Sequence, residues 1–289
     1  MASTTTGDSE SSVETLTHGA LADQRSPQSD GAGAKPRFFG TVRSVIVIAV
    51  AIVVWEAVAR TGVFPPIKLP TFTTVVVTLF DRMVSGDLIQ AILWSCARVF
   101  AGFFIGLVLA MPLGLLIGWS RVLEQLINPL VEVLRPVPPL AWIPLSVIWL
   151  GVGVKSVIFI TTLGAFFPMI VSVIAGVHSV DKKVIEYSQT LGASTRQVLW
   201  KVVVPSALPS TFVGMRIAIG FCWMTVVAAE MISVDHGLGW MIWKARYAFE
   251  TEAVIGGMVA IGALSVLMVR GVLAIEDVLF RWRKGVVKG

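Results

Sequence analysis

The side chains of this sequence that could take part in chemistry are the ionisable ones that lie inside long apolar runs. Four of them lie well within such runs and three lie nearer the ends: Arg98, Arg216, Glu230 and Arg270, then Glu56, Glu132 and Arg135. A charged group in lipid costs at least about 2.5 kcal/mol, so each should form an ion pair, reach an interface or contact a solute. Arg98 and Glu230 both fall toward the outer ends of their runs, and we predict a salt bridge between them.

The other polar residues do not indicate catalysis. His18, His178 and His236 fall in separate segments, so they predict no metal site, and no nucleophile motif accompanies them. Cys96 and Cys222 both fall in apolar runs, which favours packing over a disulfide. The sequence has no G-x-x-x-x-G-K-S/T loop to bind phosphates. We therefore expect no enzymatic activity and no bound cofactor or metal in this chain.

The composition requires a membrane environment for the elements that position these residues. Hydrophobic residues make up 55% of the chain and charged residues only 14%, with a mean hydropathy of +0.82, whereas soluble domains are nearer one quarter charged. The net charge is +5, but the Lys and Arg residues lie at the ends of apolar runs, as topology determinants do, and do not predict nucleic-acid binding. No signal-peptide pattern opens the sequence.

Six apolar runs are long enough to span a bilayer, whose core of about 30 Å needs roughly 20 residues of helix. The runs are about Thr41 to Ala59, Val99 to Trp119, Leu126 to Leu150, Ser156 to Val177, Ser210 to Ile232 and Ala253 to Ile275. They predict an all-α polytopic domain over residues 37–289, and the distribution of Lys and Arg favours both termini in the cytoplasm. Residues 1–36 contain few large apolar side chains, so we predict a disordered cytoplasmic tail.

The second run has a small residue at every fourth position. These residues share one helical face: Gly102, Gly106, Ala110, Gly114 and Gly118. Such a face lets another helix approach closely. Static packing and a moving interface both fit, and the contact could lie within one subunit or between two.

The third run is interrupted by four prolines, Pro136, Pro138, Pro139 and Pro144. Broken backbone at membrane depth persists only where protein or a water-filled cavity covers it. We therefore predict that this stretch lines the passage through the membrane, a purely structural kink being the alternative. The candidates for the pathway are Arg135, Pro138, Pro139, Trp142, Met224 and Glu230.

A polar segment, about residues 179–205, separates the fourth and fifth runs. Val184, Ile185, Ser188 and Leu191 fall on one predicted helical face. Gly192 suits the left-handed position that closes a helix, and the spacing of Ser194 and Gln197 is that of a capping box that opens a second helix. The segment therefore predicts two short helices with a sharp turn, held against the inner face of the membrane.

This segment resembles the loop signature of permeases from binding-protein-dependent ABC importers, written EAA, three residues, G, nine residues, then I-x-L-P. The matching positions are Glu186, Gly192, Val202, Val204 and Pro205. Tyr187 and Ser188 replace the two alanines, and valines replace the Ile and Leu. The segments 190–194, 135–142 and 227–231 resemble those of permeases in the nitrate, sulfonate, taurine and bicarbonate branch of that family. The resemblance covers about residues 40–285.

The resemblance implies the type I ABC importer permease fold and a coupling helix that sits in a cleft of a separate ATPase subunit. The implied coupling residues are Glu186, Tyr187, Ser188, Leu191, Gly192, Ala193 and Pro205. The implied partners are two ATPase subunits that hold ATP and Mg²⁺, an extracytoplasmic solute-binding protein, a second copy of the permease and membrane lipid, with no nucleic acid. The implied location is the bacterial inner membrane.

Two other classes of function are alternatives to a permease subunit. The broken third run also fits a secondary transporter driven by an ion gradient, and the absence of a catalytic constellation disfavours an intramembrane enzyme. The solute stays open among sulfonates such as taurine, nitrate, bicarbonate, an aromatic carboxylate and other small nutrients.

Overall fold

The computed structural model describes residues 37–280, and every regular element in that range is helical. This confirms the predicted all-α fold, while the predicted tail, residues 1–36, lies outside the described residues. The chain divides into two units, Met1–Val54 and Trp55–Gly289. The helices in chain order are α1 (Arg37–Arg60), α2 (Phe72–Val84), α3 (Asp87–Trp119), α4 (Arg121–Leu134), α5 (Ile143–Leu150), α6 (Val154–His178), α7 (Lys182–Thr190), α8 (Thr195–Val198), α9 (Val204–Ser233), α10 (Leu238–Tyr247) and α11 (Thr251–Leu279).

Within residues 37–280, four helical segments are long and apolar enough to cross a membrane, and the count is five if a bent pair of helices is taken as one span. The four are α3, α6, the continuous run Thr195–Ser233 that ends in α9, and α11. The fifth combines α4 with Pro139–Leu150. The predicted first span lies within α1, which is not among these five, so the count of six spans stays a prediction.

Close packing of α3 against α6 uses the face of small residues in α3. A methyl group added at Gly106 would lie 2.7 Å from Cβ of Ala165, and one at Gly114 would lie 2.8 Å from Cβ of Val173. The contacts advance in the same direction along both helices, so α3 and α6 run parallel. The small-residue face therefore makes a contact within one chain, which the sequence left open.

The α9 helix packs on another side of α6 and runs antiparallel to it. Gly164 of α6 lies against Thr225, near the end of α9, whereas Gly176 lies against Ala207, near its start. A methyl group at Gly176 would lie 2.9 Å from the Ala207 carbonyl oxygen, so this contact also depends on a small residue. As a result α6 is the central helix and contributes many of the fully buried side chains.

The third predicted span is interrupted at its cluster of prolines, as the sequence predicts. Helix α4 ends at Leu134, a 3₁₀ turn covers Pro139–Trp142, and α5 continues from Ile143. The two halves are bent by 87°. A proline has no amide hydrogen and clashes with the preceding turn, so this cluster cannot continue a straight helix.

Two helices, α2 and α10, were not predicted, since they have only 13 and 10 residues and are too short to be read as spans. Both pack on the start of α11. Gly256 lies against Leu79 of α2, and its neighbour Gly257 lies against Ile242 of α10. They cover the end of the bundle where α3, α6 and α11 begin, opposite the end that carries α7.

Candidate functional site

The segment 182–205, which we call the elbow, has the two short helices that the sequence predicts. Helix α7 begins after Asp181, whose carboxylate accepts a hydrogen bond of 2.9 Å from the Lys183 amide. It ends at Thr190, and just beyond it the Ala193 amide donates to the Ser188 carbonyl at 3.0 Å. Gly192, within this turn, has a φ of +86°. The left-handed backbone at this position favours glycine, and it turns the chain sharply into the next helix.

Helix α8 opens with the predicted capping box. The Ser194 hydroxyl accepts from the Gln197 amide at 3.4 Å, and the Gln197 side chain accepts from the Ser194 amide at 2.8 Å. A π-helical segment, Leu199–Val203, then joins α8 to α9. Pro205 follows at the start of α9, where it has no amide to donate to the preceding turn.

One side of the elbow is fixed to the bundle by its own small apolar core. Val198 and Val203 are fully buried and cluster with Val177 at the end of α6, and Trp119 and Ile185 pack against this cluster. The signature positions Val202 and Val204 are only half-buried, so the intervening valine carries the packing. The elbow is therefore anchored to α3, α6 and α9.

The other side of the elbow presents an apolar stripe to the outside. Val184, Tyr187 and Leu191 are spaced by three and four residues, and Tyr187 and Leu191 are 67% and 88% exposed. The predicted face of four residues is therefore divided: Ile185 and Ser188 turn toward the protein, whereas Val184 and Leu191 turn away. An exposed apolar patch among polar residues is typical of a protein–protein contact.

The other predicted coupling residues surround this stripe. Glu186 is exposed on the next position of α7, between the stripe and a cleft that separates α7 from the end of α3. Ala193 is half-buried in the turn, and Pro205 is exposed. His178 and Glu124 lie across the same cleft, with Nε2 and Oε1 3.5 Å apart.

The broken third span borders a cavity of about 200 Å³. The side chains that line it come from the break, from α6 and from α9: Arg135, Pro139, Leu163, Gly164, Phe167, Pro168, Val171, Ser172, Ile217 and Phe221. Two predicted pathway residues, Arg135 and Pro139, are thus brought together here. Pro138 is exposed beside them, and Trp142 is half-buried against the core.

An exposed face of α9 continues from this cavity. Ile217, Phe221 and Met224 are spaced by four and three residues, so they share one face, and all three are exposed. Met224 is the pathway candidate on this face, although it does not line the cavity itself. The face offers apolar surface to lipid or to another protein helix.

Glu230, the remaining pathway candidate, lies in a buried cluster that we call the polar node: Ser95, Arg98 and Glu230. The predicted salt bridge is confirmed, with 2.5 Å between Arg98 Nη1 and Glu230 Oε1, and the two side chains are 2% and 0% exposed. The Ser95 hydroxyl donates to the Glu230 carboxylate at 2.8 Å, and Arg98 also donates to the His236 carbonyl at 2.9 Å.

The polar node also holds the start of α10. The Gly239 amide donates to the Glu230 carboxylate at 2.9 Å, and the Leu238 amide donates to the Ser95 hydroxyl at 2.8 Å. Gly237 has a φ of +114°, and a methyl group there would lie 2.5 Å from a Glu230 carboxylate oxygen. The node therefore joins α3, α9 and α10 at the end of the bundle opposite the elbow.

The loop before α10 carries a second, exposed pair. His236 Nδ1 and Asp235 Oδ1 are 2.6 Å apart, and the His236 ring meets the Trp94 ring edge-on, with centroids 4.6 Å apart. The hydrogen bond with His236 lowers the pKa of Asp235 below its ordinary value. The carboxylate of Asp235 therefore stays ionised at neutral pH.

Three of the other ionisable residues predicted at membrane depth have protein partners. Arg216 and Glu276 are 3.6 Å apart, Asn128 donates to Glu132 at 2.8 Å, and Glu56 accepts from Arg60 and Thr73. Two arginines differ from these. Within the described residues, the side chains of Arg135 and Arg270 have no ion pair or hydrogen bond; both are exposed, and only Arg135 lines the cavity.

The arrangement of spans and elbow defines a membrane transport subunit, and sequence comparison identifies its family. Residues 102–284 match the family described as the binding-protein-dependent transport system inner membrane component. The chain belongs to this family. It is a membrane-embedded permease subunit of an ABC importer.

Among its relatives, the chain is 42% identical to a putative ABC transporter permease protein of Methanocaldococcus jannaschii, over 82% of this chain and 90% of that one. It is 36% identical to the taurine transport system permease protein of Escherichia coli, over 83% and 89%. It is 33% identical to a putative aliphatic sulfonates transport permease protein of Bacillus subtilis, over 85% and 89%.

A solved structure shares the fold. The inward-facing MetNI methionine ABC transporter matches with a TM-score of 0.52 and 23% identity, over 64% of this chain and 95% of that chain.

Proposed function

We propose that this permease forms the membrane pathway of an ATP-driven importer for a small anion, most closely of the taurine, sulfonate or nitrate type, delivered by an extracytoplasmic solute-binding protein. The names of its relatives support this class of solute, because two of them are taurine and aliphatic sulfonate permeases. The unpaired guanidinium of Arg135 beside the cavity is consistent with an anion. Bicarbonate and a small aromatic carboxylate fit the same description.

The elbow is the site at which ATP hydrolysis acts on this chain. The observation that carries this proposal is the exposed stripe of Tyr187 and Leu191 on a helix whose other side is fixed to the spans. A cleft in a separate ATPase subunit would cover the stripe, with Glu186 and Gly192 placing α7 within it. ATP and Mg²⁺ would be held by that ATPase partner, and the permease itself would contribute no enzymatic step.

This role fixes the orientation of the chain. The elbow must lie on the cytoplasmic side of the inner membrane to meet an ATPase subunit that uses cytoplasmic ATP. The polar node and α10 then lie on the extracytoplasmic side, near the solute-binding protein. Both termini are cytoplasmic in this arrangement, as the distribution of Lys and Arg predicts.

A second copy of the permease completes the pathway. Arg135 and Pro139 border one cavity at the broken span, and Met224 lies on the exposed face of α9 that continues from it. Two such surfaces facing each other across a two-fold axis would enclose a passage, and this isologous contact is the common form of a homodimer. Glu230 acts in this scheme by holding α10 at the outer end.

A secondary transporter driven by an ion gradient is the second candidate function. The 87° bend in the third span favours it, because discontinuous helices form solute sites in many such proteins. That mechanism gives no role to an exposed apolar stripe on the elbow.

Uptake by the reconstituted complex separates these two functions. The complete importer in proteoliposomes should take up its solute with internal ATP in the presence of an ionophore. It should lose uptake when the phosphate-binding lysine of the ATPase partner is replaced. Uptake that survives the lysine substitution and stops with the ionophore would overturn the ATP-driven mechanism.

Two variants test the elbow itself in the same assay. Leu191→Asp should lower uptake and the amount of ATPase subunit that copurifies, because it places a charge in the proposed contact. Val63→Asp is the matched control, since Val63 is also an exposed apolar residue but lies in the loop after α1, away from the elbow. Equal uptake by wild type and Leu191→Asp would contradict the coupling role.

A further inference from the structure

The cavity at the broken third span has the composition of a small-molecule site. Its walls are mainly apolar and include the phenyl rings of Phe167 and Phe221, and its ionisable side chain is that of Arg135. Ser172 adds one hydroxyl group. Mostly apolar walls with a few placed polar groups are typical of sites that bind small ligands.

Arg135 also differs from the arginines of neighbouring spans. It directly follows α4, at the break in the predicted third span. A charged group within a bilayer core is costly unless it is paired or borders a water-filled space. Its side chain has no partner among the described residues, whereas Arg98 and Arg216 in neighbouring spans both have a glutamate.

The surroundings of Arg135 restrict the charge, size and apolar content of a ligand. A guanidinium presents a planar fork of donors that suits oxyanions with two or more oxygens. The cavity of about 200 Å³ exceeds the roughly 30 Å³ that one water occupies in the liquid several-fold, so it holds more than a bare three-oxygen ion. The aromatic walls favour a ligand that has a short carbon body as well as an acidic group.

We propose that this cavity is an anion-selective subsite within the permease, in which Arg135 binds the acidic group of a small organic monoanion and Phe167 and Phe221 contact its carbon body. This inference rests on the proposed function, and it adds that the membrane subunit itself selects for charge after the solute-binding protein has released the solute. Arg135 is then a specificity-determining residue of the pathway.

Ligand binding to the purified complex of permease and ATPase tests the subsite without transport. The probes are ethanesulfonate, nitrate and the cation ethyltrimethylammonium, and the readout is the midpoint of thermal unfolding as each probe is titrated. Ethanesulfonate should raise the midpoint at lower concentration than nitrate, and the cation should have no effect. Equal effects of all three probes, or none from ethanesulfonate, would overturn the proposal.

Substitution of Arg135 then assigns the effect to the cavity. Arg135→Gln should weaken ethanesulfonate binding roughly 10- to 100-fold, the range expected when a charge-assisted hydrogen bond is lost, and Arg135→Lys should weaken it less. Arg270→Gln is the matched control, because Arg270, like Arg135, is exposed and has no ion pair or hydrogen bond within the described residues, but it does not line the cavity. An Arg135→Gln complex that binds like wild type would refute the assignment.

Transport by the same variants keeps this inference separate from the proposed function. Arg135→Gln should slow uptake of the natural solute at least 10-fold, whereas Arg270→Gln should match wild type in both uptake and ATP hydrolysis. If wild type shows ATP-driven uptake and Arg135→Gln matches it, the subsite is wrong and the importer stands. If wild type shows no ATP-driven uptake, the proposed function itself is wrong.

Discussion

Breaking the polar node should destabilise the protein far more than breaking an exposed ion pair. Arg98 and Glu230 are 2% and 0% exposed, so removing one partner leaves the other buried and uncompensated, at a cost of about 3–5 kcal/mol. Glu230→Leu should be the more damaging single change. It leaves Arg98 with one described hydrogen-bond acceptor, the His236 carbonyl, besides the Trp94 ring, whereas Arg98→Leu leaves Glu230 bonded to Ser95 and Gly239.

The double variant gives the sharper test. Replacing both partners by leucine removes both buried charges, and such apolar replacements are often nearly neutral. The Arg98→Leu/Glu230→Leu protein should therefore be more stable than the sum of the single effects predicts, with a coupling energy of about 2 kcal/mol or more.

The assay is reversible unfolding in a mixed-detergent titration followed by circular dichroism. The matched control is the same cycle on Arg82 and Glu250, an ion pair between α2 and the start of α11 whose side chains are 26% and 44% exposed. Exposed pairs of this kind contribute up to about 1 kcal/mol. A coupling energy below about 0.5 kcal/mol for the buried pair, or one no larger than that of the control, would refute the reasoning.

Amide hydrogen exchange reports the local consequence. The Leu238 and Gly239 amides donate to the polar node, so they should exchange faster in Glu230→Leu than in wild type. The exchange rates of amides in the middle of α6 should change only by the amount that the change in global stability accounts for. Unchanged exchange at the start of α10 would show that the node does not hold that helix.

Two further pairs of substitutions, each with its control, test the roles of Gly192 and Gly106. Gly192→Val should cost about 1–2 kcal/mol, because φ is +86° there, and should also lower ATP-driven uptake; Gly62→Val, at a φ of +74° in an outer loop, should cost a similar amount and leave uptake intact. Gly106→Leu should overpack the contact of α3 with α6, which costs about 1–3 kcal/mol of stability, and so reduce the folded fraction on size-exclusion chromatography. Gly262→Leu should not reduce it, since nothing lies within 4 Å of a methyl group added at Gly262. Normal uptake by Gly192→Val, or an equal loss for Gly106→Leu and Gly262→Leu, would contradict these assignments.

The elbow could be predicted because its signals are local. A left-handed glycine and a capping box depend on residues within a few positions of one another, and both appear in the structure at Gly192 and Ser194. The proline break is local for the same reason. The pairing of Arg98 with Glu230 could be predicted for a different reason, since two opposite charges at similar depth in lipid each require a partner.

Features that depend on tertiary contacts could not be predicted in the same way. The sequence places Val184 and Ile185 on one face of α7, but Ile185 turns inward because it packs against the buried cluster of Val177, Val198, Val203 and Ala207. Helices α2 and α10 are too short to be detected by a search for apolar runs of bilayer-spanning length. The cavity beside Arg135 exists only because α6 and α9 approach the break, and no spacing along the chain encodes that approach.

Cross-linking from the elbow tests the central claim most directly. A cysteine at Leu191, which is 88% exposed, should be joined to the ATPase subunit by a short maleimide–benzophenone photocross-linker in the assembled complex, because the proposed cleft covers it. A cysteine at Val63, at the opposite end, should give no such product. If Leu191→Cys gives no cross-link to the ATPase, or if an impermeant reagent labels it from outside intact cells, the elbow cannot be the coupling site.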